Sequence, residues 1–453
     1  MAVGFTTRVF ELMRVYARGS DTLFYLARRR TRMENTMNEK PTPKKQRRTF
    51  LKQAGAAALM SLVPEAVRTG AWAAGSDAPE KTEVKIGFIP LTDCASVVMA
   101  SVLGFDKKYG IKIIPTKEAS WASVRDKLTN GDIDAAHVLY GLIYGVHMGI
   151  GGPKKEMAQL MTLNHNGQAI TLSKKLADAG ATDGPSLAAL MKKEKRDLTF
   201  AHTFPTGTHA MWLYYWLAAN GINPFKDVKT ITVPPPQMVA NMRVGNMDGY
   251  CVGEPWGHRA IADGIGINGI TTQDIWKDHP EKILGTTNDF VTKNPNTARA
   301  MIMAILEASR WIDTSLSNRM KMAETVSNTA YVNTSVDVIN QRILGRYQNG
   351  LGKTWDDPNH MKFFNDGAVT FPYLSDGMWF LTQHRRWGLL KEDPDYLGVA
   401  KQINKIDLYK QAASQLKINV PKDAMRTSKM VDGVTWDGKD PKKYAASFAV
   451  KMS

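Results

Sequence analysis

Cysteine is nearly absent. Only Cys94 and Cys251 occur among 453 residues, each in an apolar run. Two scattered cysteines exclude a disulfide framework, and their spacing forms no zinc motif; they read as buried thiols, with pairing to one another as the alternative. Long hydrophobic runs are also missing. Residues 54–63 form the longest apolar stretch near the amino end, well short of the roughly 20 residues that span a bilayer. There is no EF-hand loop, no HExxH and no GxxxxGK[ST] loop. Thr203-Phe204-Pro205-Thr206-Gly207-Thr208-His209 looks like a nucleotide loop but lacks its spacing.

What precedes the apolar stretch is informative. Arg47 and Arg48 are followed by Thr49-Phe50-Leu51-Lys52, and Ala71-Trp72-Ala73 offers an A-x-A cleavage site before Ala74. This resembles a twin-arginine export signal, a receptor-read address for folded proteins. No lipid-accepting cysteine stands near the cleavage point, so a free periplasmic product without a lipid anchor is expected. Met33 or Met37 is a candidate true start, because residues 1–42 are long for the segment ahead of such a motif.

The export signal also changes the meaning of the charge. The chain carries 59 Lys+Arg against 43 Asp+Glu, a net of +16; residues 1–73 hold +9 of it, leaving +7 for residues 74–453. That surplus is mild and carries no basic stripe with a recognisable module, which argues against nucleic-acid binding. It is compatible with a small anionic ligand.

About 380 mature residues are enough for two lobes around sizeable cores. Strand signals at 84–90, 112–114 and 133–138 alternate with helix signals at 95–100 and 121–128, which predicts an α/β fold with mainly parallel sheets. One internal echo organises the chain. A helix leads through Gly131 into Ile133-Asp134, and another leads through Gly245 into Met247-Asp248. Glycine after a helix tolerates the left-handed turn that each junction needs. Two such units would face each other across a cleft, with ligand near the carboxyl ends of the strands. The expected division is 1–73 as extension and signal, 82–173 as lobe 1, 174–285 as lobe 2, and 286–453 as a return to lobe 1. Helices are expected at 298–315, 339–345, 376–387 and 408–416, with 427–453 as a more polar surface extension. Arg385-Arg386 and Lys442-Lys443 read as solvated charge runs.

Seven segments in order carry a family resemblance: LTDCASVVMA (91–100), SWASVRDKL (120–128), NGDIDAAHVLYGLIYGV (130–146), LNHNGQAITLS (163–173), PTGTHAMWLYYWLAANGINP (205–224), CVGEPW (251–256) and WKDHPEK (276–282). They resemble the nitrate/bicarbonate-binding subunits of bacterial ABC importers. The resemblance implies a two-lobed type II periplasmic binding-protein fold with a hinge, a cleft and a helical carboxyl-terminal part. It also implies a binding protein rather than an enzyme, serving nitrate assimilation with an importer permease and its ATPase as partners. A nitrate sensor on the same scaffold is a second reading, against which the export signal counts. An enzyme of the pyrimidine-precursor type would need a Cys-rich loop that the chain lacks.

The resemblance also singles out ligand contacts at Trp121, Gln168, His209, Gly253 and Lys282. Nitrate only accepts hydrogen bonds, so its site needs donors and about one positive charge. His209 opens a helix whose free N–H groups suit an anion; otherwise it is a cap or a core histidine. Gln168 offers an amide from the first lobe and Trp121 an indole N–H. Gly253 lets backbone approach closely, having no Cβ. Lys282 decides the substrate, because bicarbonate-binding relatives carry an acidic residue at the matching place. A charge-assisted bond from lysine contributes about 1.5–3 kcal/mol. Nitrate is therefore expected, with nitrite close behind, bicarbonate as the alternative, and Lys277 as the fallback donor. No cofactor and no obligatory metal are expected.

Overall fold

The computed structural model describes residues 77–452. The export signal and its cleavage site lie outside the described residues. Ten strands build the frame: β1 Glu83–Phe88, β2 Lys112–Lys117, β3 Ala135–Leu139, β4 Met157–Thr162, β5 Gln168–Ser173, β6 Thr199–His202, β7 Lys229–Thr232, β8 Gly249–Gly253, β9 Gly266–Thr271 and β10 Lys282–Thr287. They form two five-stranded sheets, ordered β2-β1-β3-β10-β4 and β7-β6-β8-β5-β9. β3, β4, β5 and β8 are buried along their whole length, because helices cover both faces. The result is a two-lobed α/β architecture.

The sheets are mixed rather than mainly parallel. In the first, β1 pairs parallel with β2 and β3, whereas β10 runs antiparallel to β3 and β4. In the second, β6 pairs parallel with β7 and β8, whereas β5 runs antiparallel to β8 and β9. The physical reason is the chain's path. β5 and β10 are the strands that follow a crossing from the other sheet, so each enters its new sheet from the cleft side and runs opposite to its neighbours. The crossings fall at 163–167 and 272–281, ahead of the expected boundaries at 173 and 285. Gln168 thus belongs to the second sheet, not to the first lobe.

The internal echo has a structural counterpart in both lobes. Gly131 and Gly245 sit at φ of 84° and 80°, ending their helices in the left-handed region. Each following aspartate then clamps the strand beside it. Asp134 Oδ2 accepts from Lys85 N and Asp134 N donates to Lys85 O, each at 2.9 Å. Asp248 repeats this with Thr199, at 2.9 Å and 2.8 Å. The aspartates fix the start of β3 against β1 and of β8 against β6.

The rest of the chain buttresses both lobes. Helix Pro295–Thr314 packs against helix Ala95–Val102, and helix Leu374–Arg386 against helix Tyr140–His147, all on the first sheet's side. Helix Val336–Ile343 instead packs against helix Trp256–Ala262 of the second lobe. An aromatic cluster of Trp212, Trp276, Trp379 and Phe380 joins the two sides near the second crossing, with Trp212 and Trp379 stacked at 4.9 Å between centroids. The carboxyl-terminal segment closes over it. Val431 N donates to Ile275 O at 2.8 Å and Trp436 Nε1 to Ser375 O at 2.9 Å. Both cysteines are buried free thiols. Arg386 is buried rather than solvated, with its guanidinium 3.6 Å from the Phe448 ring centroid. No described helix is long and apolar enough to cross a membrane.

Candidate anion-binding site

The site is assembled where parallel strands end. β1 runs into a tight turn, Thr92–Cys94, that carries Asp93. β2 is followed by helix Trp121–Asn130, whose first turn is fixed by Ser120 accepting from Ser123 N, and this presents Trp121. β6 leads to helix Thr208–Ala219, capped by Gly207 without a side-chain cap bond. Its first N–H groups stay available, and its positive end carries Thr208 and His209. β8 ends at Gly253, directly opposite Gln168 on β5. Residues opposite each other in an antiparallel pair share a face, so the Gln168 amide and the open side of Gly253 point the same way.

Lys282, the first residue of β10, joins these parts. Its Nζ lies 2.8 Å from Asp93 Oδ2, donates also to Glu281 Oε1, and stands 5.6 Å from the Trp121 ring centroid. Asp93 Oδ1 is in turn 2.6 Å from His137 Nε2. On the second lobe's side, Glu281 Oε1 accepts from Thr208 Oγ1 at 3.2 Å and lies 3.3 Å from His209 Nε2, out of line for a hydrogen bond. His209 Nδ1 is held by the Thr203 hydroxyl. A Cβ added at Gly253 would come within 3.3 Å of Asp93 Oδ2 and 3.6 Å of His209 Nε2. Gly253, having no side chain, thus lets Asp93 and His209 approach the end of β8 closely.

Solvent does not reach this cluster; Asp93, His137, His209, Glu281 and Lys282 are each 0% exposed. Burial alone would push both carboxyls up, but Lys282 with His137 holds Asp93 well below the usual carboxylate range, and Lys282 with His209 lowers Glu281. Burial would lower the Lys282 ammonium, yet Asp93 and Glu281 raise it. Burial lowers His137 and His209, against the pull of Asp93 and Glu281 respectively. The arrangement is a buried ammonium between two carboxylates and two neutral imidazoles.

Several donors in this cluster lack a partner among the described residues. They are Trp121 Nε1, the Gln168 side-chain amide and His209 Nε2, and the Thr92 hydroxyl and Glu281 Oε2 are likewise unpaired. Buried polar groups are nearly always hydrogen-bonded, so these donors are available to a further molecule. Lys282 spends two of its three N–H groups on carboxylates, leaving one. Indole, amide, imidazole and ammonium donors together match a small acceptor-only anion. Among the described residues, no group of three or more His, Cys, Asp or Glu is arranged to hold a metal ion.

The model of the NMT1-like family matches residues 77–327, which include every site residue described above. The chain belongs to that family. It is 39% identical over 438 residues to the nitrate/nitrite binding protein NrtA of Nostoc sp., covering 89% of this chain and 98% of the relative. It is 30% identical over 404 residues to the bicarbonate-binding protein CmpA of Synechococcus elongatus, covering 84% and 90%. Among solved structures, the periplasmic nitrate-binding protein NrtA from Synechocystis superposes with a TM-score of 0.79 at 38% identity, covering 82% of this chain and all of that one. The two-lobed architecture is thus the type II periplasmic binding-protein fold.

The structure places Trp121, Gln168, His209, Gly253 and Lys282 of this NMT1-like chain in one buried neighbourhood, linked through Asp93 and the Gln168–Gly253 pair. Lys277, the fallback, is exposed. The site departs from the expected set of donors with about one positive charge, because the carboxylates of Asp93 and Glu281 both engage Lys282. Sequence reasoning missed Asp93, His137, Glu281 and Thr203. A signal existed for two of them. Glu281 immediately precedes Lys282, and His137 interrupts the otherwise apolar strand Ala135–Leu139.

Proposed function

We propose that this protein is a periplasmic solute-binding protein that captures nitrate, with nitrite as the close second, and delivers it to an ABC importer for nitrate assimilation. The observation that carries the reading is the buried Lys282 ammonium among the unpaired donors of Trp121, Gln168 and His209. The similarity to nitrate/nitrite binding proteins supports it. A few charge-assisted bonds in a preorganised cleft are enough for micromolar binding, about −8 kcal/mol. Lobe closure turns on the two crossings, and the closed form is the one the importer permease, working with its ATPase, accepts. Export runs through the twin-arginine machinery, without a lipid anchor. The protein carries cargo and catalyses no reaction; nucleic acid is not a partner.

A specific observation favours a second reading. Bicarbonate has an O–H, and Glu281 Oε2 is a buried acceptor without a partner. Calorimetric titration with nitrate, nitrite and bicarbonate separates the two. Micromolar nitrate binding with bicarbonate at least tenfold weaker supports the first. The reverse order reassigns the substrate.

A further inference from the structure

The charge count of the buried cluster raises a difficulty for any anion. Asp93 and Glu281 bring two negative charges against one positive charge on Lys282, and the helix end at Thr208 adds about half a positive charge. A monoanion seated among these groups leaves an excess of more than one negative charge with no solvent to screen it. Unpaired buried charge is costly, and a protonatable neighbour relieves it.

Two imidazoles border the cluster, and their surroundings differ. His137 Nε2 bonds Asp93, while its Nδ1 has no partner among the described residues. A second proton on His137 would therefore point at nothing. His209 is better placed. The Thr203 hydroxyl at His209 Nδ1 can donate to the bare nitrogen or accept from N–H, so the ring changes charge without losing that bond. His209 Nε2 faces Glu281 and the open side of Gly253.

We propose that the site takes up its anion together with one proton, seated on His209 between Thr203 and the bound anion, and that Glu281 enforces this and so restricts the ligand to monoanions. The inference rests on the reading of the site as an anion site. No covalent bond forms; the proton comes from solvent and leaves with the anion. The charged and titratable groups facing His209 are Glu281 and Lys282 from the second crossing and β10, Asp93 from the turn after β1, and His202 from β6. His202 stays neutral, since burial lowers it to about 3. A dianion such as sulfate would need a second proton, for which the cluster has no equally supported place.

The test is calorimetry of the purified protein with nitrate from about pH 6 to 9, in two buffers of unequal ionisation enthalpy. The expected result is an affinity that weakens toward tenfold per pH unit above neutrality and a buffer-dependent heat showing net proton uptake. Glu281→Gln should flatten the pH dependence and bind nitrate more tightly than the wild type at the alkaline end. His209→Gln, which keeps an N–H donor, should also be pH-independent, so either variant suffices if the other fails to fold. Affinity that is constant with pH, with equal heats in both buffers, overturns the proposal while leaving nitrate capture intact. Absence of nitrate binding at every pH overturns the functional reading itself, and this inference with it.

Discussion

Lys282 Nζ and Asp93 Oδ2 stand 2.8 Å apart with both side chains fully buried, one on the strand that re-enters the first sheet and one in the turn that leaves it. Glu281 flanks the same ammonium. In the proposed reading Lys282 serves the ligand as well as the fold.

Lys282→Met is expected to weaken nitrate binding at least tenfold, as loss of one charge-assisted bond worth about 1.5–3 kcal/mol implies. It also leaves two carboxylates buried without their cation, and breaking a buried pair costs about 3–5 kcal/mol. Titration and thermal melting on one preparation check both effects. A variant that melts like the wild type would show that Lys282 carries little of the fold.

Gly253→Ala tests whether the anion sits beside the end of β8. The added methyl would sit 3.3 Å from Asp93 Oδ2 and Leu91 Cδ2, both tight, and 3.6 Å from His209 Nε2, an ordinary contact. Loss of nitrate affinity by more than tenfold is expected, with a stability cost of about 1–3 kcal/mol from overpacking. Unaltered affinity would place the anion away from Gly253.

The two aspartate clamps should behave alike. Asp134→Ala and Asp248→Ala each remove a carboxylate that accepts a strand's backbone N–H at 2.9 Å. Each should cost about 1–3 kcal/mol in urea unfolding. Asp134 also pairs with Lys81 at 2.6 Å, and since Lys81 is half exposed that pair adds little. Nitrate affinity in the native state should be unchanged. A neutral outcome at Asp248 would mean that the repeated clamp is not what fixes the second sheet.

How much of this could be read from the sequence follows from which signals are local. The helix-Gly-strand junctions at Gly131 and Gly245 were legible because glycine at a left-handed turn is a local requirement. Strand direction was not. β5 and β10 run antiparallel because the chain crosses between sheets, and no residue near Gln168 or Lys282 announces that. The five ligand candidates came from the family resemblance rather than from any local pattern. Asp93 and His137 come from segments 44 residues apart; His137 interrupts an apolar strand, but no local pattern marks Asp93 as its buried partner.

Acid should destabilise the fold through its buried histidines. Burial holds His279 and His384 at about 4, where His384 Nε2 meets Thr206 O at 2.9 Å. In the unfolded chain a histidine titrates near 6.5. Below that value the unfolded state binds protons that the folded state refuses, so stability present above about pH 6.5 is lost as pH falls toward 4, by up to roughly 1.4 kcal/mol per pH unit for each histidine. Urea unfolding at pH 7 and pH 5 should show the loss, and His384→Gln should reduce it. Equal stability at the two pH values would contradict the assignment.

The most direct test of the central claim is a crystal structure of the protein with nitrate. The account predicts one nitrate between the lobes, with oxygens within about 3.2 Å of Lys282 Nζ and of at least two among Trp121 Nε1, Gln168 Nε2 and His209 Nε2. A nitrate bound elsewhere, with Lys282 still held only by Asp93 and Glu281, would contradict it.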